Sequence, residues 1–205
     1  NILFAIILAV GIGFFVMNIR KLSRNINLGK DVNRTDKKPE RLKNMIKIAL
    51  GQSKMVKRPF SGFLHIVVYV GFIIMNIEVL EIIIDGLFGT HRIFLGFLGD
   101  GIYGFLIGTF EILAVLVLIT VVIFWLRRNA STIKRFLSKE MVGWPKKDGN
   151  MILYFEIILM SLFLVMNATD TAFQTAGVGN TISQFVAPLF DGFSPEALHT
   201  IERTC

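Results

Sequence analysis

Residues 58–85, RPFSGFLHIVVYVGFIIMNIEVLEIIID, decide the fold class. From Pro59 onward the run is as apolar and as long as the roughly 20 residues a helix needs to cross a hydrocarbon core. Yet it carries His65 near one end and Glu78 and Glu81 toward the other. A polar group at membrane depth needs a partner, a cofactor or nearby water, because stranding it in hydrocarbon costs several kcal/mol. At about 100° per residue, Tyr69, Phe72 and Asn76 fall within about 40° of His65, whereas Glu78, Glu81 and Asp85 fall on the opposite side. His65 and Glu78 are also separated by about 20 Å in depth, so they serve different sites.

Three more apolar segments follow the same rule, at about residues 1–19, 102–126 and 151–169. The 205-residue chain is 53% hydrophobic with mean hydropathy +0.62, and the excess over a soluble domain is concentrated in these blocks. The first block lacks the basic leader and small-residue cleavage site of a signal peptide, and positive charge follows it, so it is expected to be a retained spanning helix. Of the 22 Lys and Arg residues, all but Arg92 and Arg203 lie within 20–58 or 127–147. The positive-inside rule therefore places the loops 20–58 and 127–150 in the cytoplasm and the N-terminus, 85–101 and 170–194 outside. The sequence predicts an all-α polytopic membrane helix bundle with four complete spans. Ser194, Pro195 and Glu196 have the order of an N-cap, a first helical position and an acidic first turn, so a fifth helix begins near 194. Begun and unfinished, that helix predicts a fragment of a longer protein.

The net charge of +7 is accounted for by topology and by attraction to anionic headgroups, which leaves no role for nucleic acid. Within 40–56, Leu42, Met45, Ile46 and Leu50 recur at helical spacing among lysines. That pattern fits an amphipathic helix on the inner surface, or a dock for a cytoplasmic domain. The outer stretch 170–194 mixes small and polar residues with FVAPLF, too short to span, and reads as a cap at the outer interface. Its glycine pair, Gly177 and Gly179, has no strand–helix context that would make it a phosphate loop. The one cysteine, Cys205, cannot by itself form a disulfide or hold an iron–sulfur cluster.

Among the residues that could carry chemistry, His65 comes first. An inward-facing imidazole with aromatic and glycine neighbours is what axial haem ligation needs; the alternative is a histidine bonded to a backbone carbonyl. Glu111 lies about 12 Å below the outer surface, near the level of Glu78. The pair reads as proton- or quinone-handling groups, or as neutral carboxyls bonded to a neighbouring helix. Glu156 lies near the inner face, either snorkelling or approaching the level of His65. His91 belongs to the outer loop. His199, in the incipient fifth helix, is also outer, so it cannot share one iron with His65, and a second ligand would come from beyond Cys205 or from a residue other than histidine.

The runs LGKDVNRTDKKPERLKNMIKIALGQSKMVKRPFSGFLHIVVYVGFIIMNIEVLEIIIDGLFGTHRIF and SKEMVGWPKKDGNMILYFE resemble a bacterial family of membrane-anchored iron–sulfur oxidoreductases related to heterodisulfide reductase. In these a membrane domain similar to the nitrate reductase gamma subunit precedes a cytoplasmic part. The resemblance covers essentially the whole chain and is most specific in RPFSGFLHIVVYVGF. It implies a bacterial inner-membrane electron-transfer module binding b-type haem, with His65 as ligand. Electrons would pass between membrane quinone and 4Fe-4S clusters of a cytoplasmic domain, whose cysteines this chain lacks. Two other readings stand beside it. One is an ion transporter or channel using the intramembrane glutamates, although no inverted repeat with interrupted helices is visible. The other is a plain membrane anchor.

Overall fold

A computed structural model describes residues 2–30, 36–130, 133, 138 and 143–205; the basic residues Arg34, Lys134, Arg135 and Lys139 lie outside the described residues, as does part of each run quoted for the family resemblance. The chain is all-α, with no strand among the described residues. Four helices are long and apolar enough to cross a membrane: α1 (Ile2–Ile26), α3 (Pro59–Phe88), α4 (Ile93–Asn129) and α5 (Trp144–Thr169). Short elements complete the chain: α2 (Lys38–Met45) running into a π turn at Ile46–Leu50, α6 (Thr171–Ala176), α7 (Ser183–Val186) passing into a 3-10 turn at Ala187–Phe190, and α8 (Pro195–Thr204). Ser194 caps α8, its hydroxyl accepting from the Ala197 N–H at 3.3 Å. As far as it runs, α8 is amphipathic, and it packs on α5 and α6 with Ala197, Leu198, Ile201 and Glu202 half-buried.

The molecule divides into two compact units. The first comprises Asn1–Gly62 and Leu80–Ile93. Here Phe4 of α1 lies against Gly86 of α3, where an added Cβ would come within 2.7 Å of the ring. The outer end of α3 closes at Gly89, whose φ of 71° supplies the left-handed terminal residue that glycine adopts most readily. The Asp85 carboxylate then accepts from the Thr90 hydroxyl and from the Arg92 N–H. This tie shortens the outer connection to a few residues, because α4 already starts at Ile93 and kinks at Gly99. The sequence treated 85–101 as one loop; the kink explains why the straight, spanning part of α4 still begins near residue 100.

The second unit, Phe63–Val79 and Phe94–Cys205, holds the core. On α4 the buried residues Tyr103, Ile107, Phe110, Ala114, Val117 and Val121 alternate in steps of four and three, the seam that lets one helix lie along another. Met75 of α3, Phe163 and Leu164 of α5, and Phe173 of α6 fill the same cluster. Three contacts fix α4 against α5 in antiparallel register: Glu111 with Asn167, Trp125 with Tyr154 at 6.4 Å between ring centres, and Asn129 with Asn150 through reciprocal amide bonds. That register holds for about 27 Å, close to the thickness of a hydrocarbon core. At the basic end Arg128 donates to the carbonyls of Pro145 and Lys146 at 2.8 and 3.3 Å. Gly149 leaves room for its guanidinium, since a Cβ there would come within 2.6 Å of a terminal nitrogen.

Candidate functional site

Contact of Gly71 with Val117 sets α3 against α4, and with the α4–α5 register it sorts the membrane-depth polar groups into two layers. The inner layer holds His65 on α3 and Glu156 on α5, both near the level of Ile123. The outer layer holds Glu78 on α3, Glu111 on α4 and Asn167 on α5. About 20 Å separates the two.

The outer layer is the more elaborately built. Glu111 is fully buried, at 0% exposure, and every contact to its carboxylate comes from a donor. Asn167 donates its amide to one oxygen at 3.0 Å. The other oxygen accepts from the backbone N–H groups of Ile182 at 2.7 Å and Ser183 at 3.1 Å. The Thr181 hydroxyl stands 3.3 Å from that oxygen and 3.2 Å from the Gly108 carbonyl, sharing one proton between them. Such a donor set is complementary to a carboxylate anion. It also places the start of α7 directly on Glu111, where peptide N–H groups lack helical partners.

A second stripe on α4 makes this approach possible. Gly104, Gly108 and Glu111 are all buried and follow one another in steps of four and three along one face. An added Cβ at Gly104 would lie 2.1 Å from the Val178 side chain, and one at Gly108 would lie 3.1 Å from the Thr181 methyl. Gly179, with φ of 94°, brings its own backbone against Gly104; a Cβ there would sit 2.7 Å from the Gly104 carbonyl oxygen. The small-xxx-small pattern, known for letting two helices touch, here admits the backbone of a loop. Gln174 stitches the cap to itself and to α5, donating to the Asn167 carbonyl and to the Ser183 hydroxyl, each at 2.8 Å. Asp170 caps α6 by accepting from the Phe173 N–H. The stretch read from the sequence as a cap is a folded element pinned at Glu111. Of the two glycines of GVG, Gly179 serves that close approach, and Gly177, at φ of 66°, ends α6 in the left-handed conformation. Glu78 and Glu81 are buried as well, at 4% and 2% exposure.

The inner layer is simpler. His65 is half-buried, as is Tyr69 one turn on. Phe72, however, is 63% exposed, and Asn76 is exposed with its amide donated back to the Phe72 carbonyl. The buried stripe of α3 is instead Leu64, Gly71, Met75 and Glu78, because Gly71 is where α3 can come close to α4. His65 therefore sits at the flank of that stripe, and it makes no hydrogen bond to any described residue. The carbonyl bond that a purely structural histidine would make is absent there. Glu156 is half-buried at the same depth. His91 and His199 are exposed, His91 in the connection after α3 and His199 on α8. As a haem site, the level of His65 offers one imidazole with no hydrogen bond among the described residues, and the Tyr69 ring one turn on. The donor chemistry fits one axial ligand.

No protein-family model, no curated protein and no solved structure matches the chain.

Proposed function

We propose that this chain is the membrane module of a quinone-linked iron–sulfur oxidoreductase in a bacterial cytoplasmic membrane, with His65 an axial ligand of b-type haem. The observation that carries the reading is the uncommitted imidazole of His65, half-buried one to two turns inside a spanning helix. Support also comes from the resemblance of RPFSGFLHIVVYVGF to the family described above, and from four helices able to cross a membrane.

When bound, the haem would supply one-electron chemistry at the level of the basic loops. The chain's own part is to hold a neutral imidazole nitrogen toward the flank of α3 and to set it about 20 Å from the outer polar layer. A lone Cys205 cannot build a 4Fe-4S cluster, so the clusters belong to a cytoplasmic iron–sulfur domain or redox partner. At the outer layer, Glu111 has its oxygens engaged by the cap. Glu78 and Glu111 are the candidates for a proton- or quinone-handling role there, and Glu111 could take one only by releasing Ile182 and Ser183.

The test is a reduced-minus-oxidised spectrum of the protein purified from its native membrane in mild detergent. The expected result is haem Soret and α bands that disappear in His65→Ala and persist in His199→Ala. A folded, colourless wild-type protein, or bands unchanged in His65→Ala, overturns the assignment.

A further inference from the structure

The element least explained by the redox reading is α2 with its π turn, and this inference does not rest on that reading. From Lys38 to Leu50 every residue is exposed, although the segment is strongly two-faced. Taking Leu42 as the centre, Lys38, Met45 and Ile46 fall within about 60° of it, and the π turn carries the apolar side chains on to Ala49 and Leu50. Arg41 and Lys43 stand at about 100° to either side, and Glu40, Asn44 and Lys47 occupy the back. Leu42, Met45, Ile46 and Leu50 are 55%, 56%, 47% and 60% exposed. A helical segment of this length is marginal in water by itself, so that face needs a cover.

We infer that the cover is anionic phospholipid of the leaflet on the side of the basic loops. The charge pattern favours it: Lys38, Arg41, Lys43 and Lys47 are set against the single acid Glu40 within the segment, and Arg41 and Lys43, flanking the apolar sector, can lay their stems on acyl chains while their charged heads meet phosphates. Lys38, Arg41, Leu42 and Met45 line one hollow of about 400 Å³, two cations beside two apolar side chains, which suits a headgroup phosphate above the start of an acyl chain. The tether favours it too. Lys37 and Gln52, both at left-handed φ of 49° and 47°, bracket the segment with sharp turns. The connection from Gly51 to Arg58 then spans at most about 28 Å before α3 enters the membrane, so the helix stays within reach of the interface.

The experiment uses the full chain with Cys205→Ser and an environment-sensitive fluorophore on Met45→Cys, reconstituted in nanodiscs of phosphatidylcholine with or without phosphatidylglycerol. Expected are a blue-shifted emission and quenching by spin-labelled lipid that increase with phosphatidylglycerol, while the same probe on Asn44→Cys stays aqueous. Neutralising Lys38, Arg41, Lys43 or Lys47 to Gln should lower the docked-to-free ratio about fivefold per charge, the equivalent of about 1 kcal/mol. A Met45 probe that is water-exposed in both nanodiscs overturns the inference. So does a probe equally buried in phosphatidylcholine, phosphatidylglycerol and detergent, which would assign the face to a second copy or another protein domain.

Discussion

Glu111 shows why a buried carboxylate in a spanning helix need not be a catalytic one. Its oxygens take the amide of Asn167 and the N–H groups of Ile182 and Ser183, so its carboxyl group is used to hold a loop in place. Removing the acceptor leaves those buried donors without it, a cost on the order of 3 kcal/mol. Glu111→Ala should therefore raise the thiol-labelling rate at Ala168→Cys, a position 6% exposed under the cap, by about 100-fold in a Cys205→Ser background. Glu111→Gln should fall between, since its amide can still accept but also presents donors to donors. Unchanged labelling in Glu111→Ala would mean that the cap is held by other contacts. The sequence marked Glu111 as a residue needing a partner and could not name one: the partners lie some 70 positions away in a loop, and no local pattern encodes that pairing. For His65 the sequence left a different gap. Its shared face with Phe72 and Asn76 was legible, but which face turns inward depends on Gly71 meeting Val117, and Asn76 satisfies its amide on its own helix. A polar residue need not point to the core.

At the scale of elements, α4 and α5 behave as one antiparallel hairpin. The ties at Asn129–Asn150 and Glu111–Asn167 stand at either end of it, so each should couple independently of the other. A double-mutant cycle on Asn129→Ala and Asn150→Ala should give an interaction energy of about 1 kcal/mol in reversible unfolding. A cycle pairing Asn129→Ala with Glu111→Ala should give nearly none; strong coupling there would contradict a stiff hairpin clamped at both ends. The spans themselves were readable because their length is set by bilayer thickness and their ends by charge. Sequence placed them at 59–84 and 102–126, against Pro59–Phe88 and Ile93–Asn129 in the structure. The extra turns are the ends 85–88 and 127–129, each opening on a charged residue, and the apolar run 93–98, which the Gly99 kink sets off from the straight part of α4. The glycine stripe of α4 was equally visible as letters, but a small-xxx-small face announces close approach without saying whether a helix or a loop will use it.

For the whole molecule, the account requires the two basic loops to share one side of the membrane and the Glu111-anchored cap to lie on the other. Every later claim uses that arrangement: the depth of His65, the leaflet offered to α2, and the outer position of His91 and His199. The most direct test is labelling of single-cysteine variants of the Cys205→Ser chain by a membrane-impermeant thiol reagent in intact cells and in inverted vesicles. Ser53→Cys and Asp148→Cys should react only in inverted vesicles, and Asn180→Cys only from outside the cell. Reaction of Ser53→Cys and Asp148→Cys from opposite sides would contradict the account.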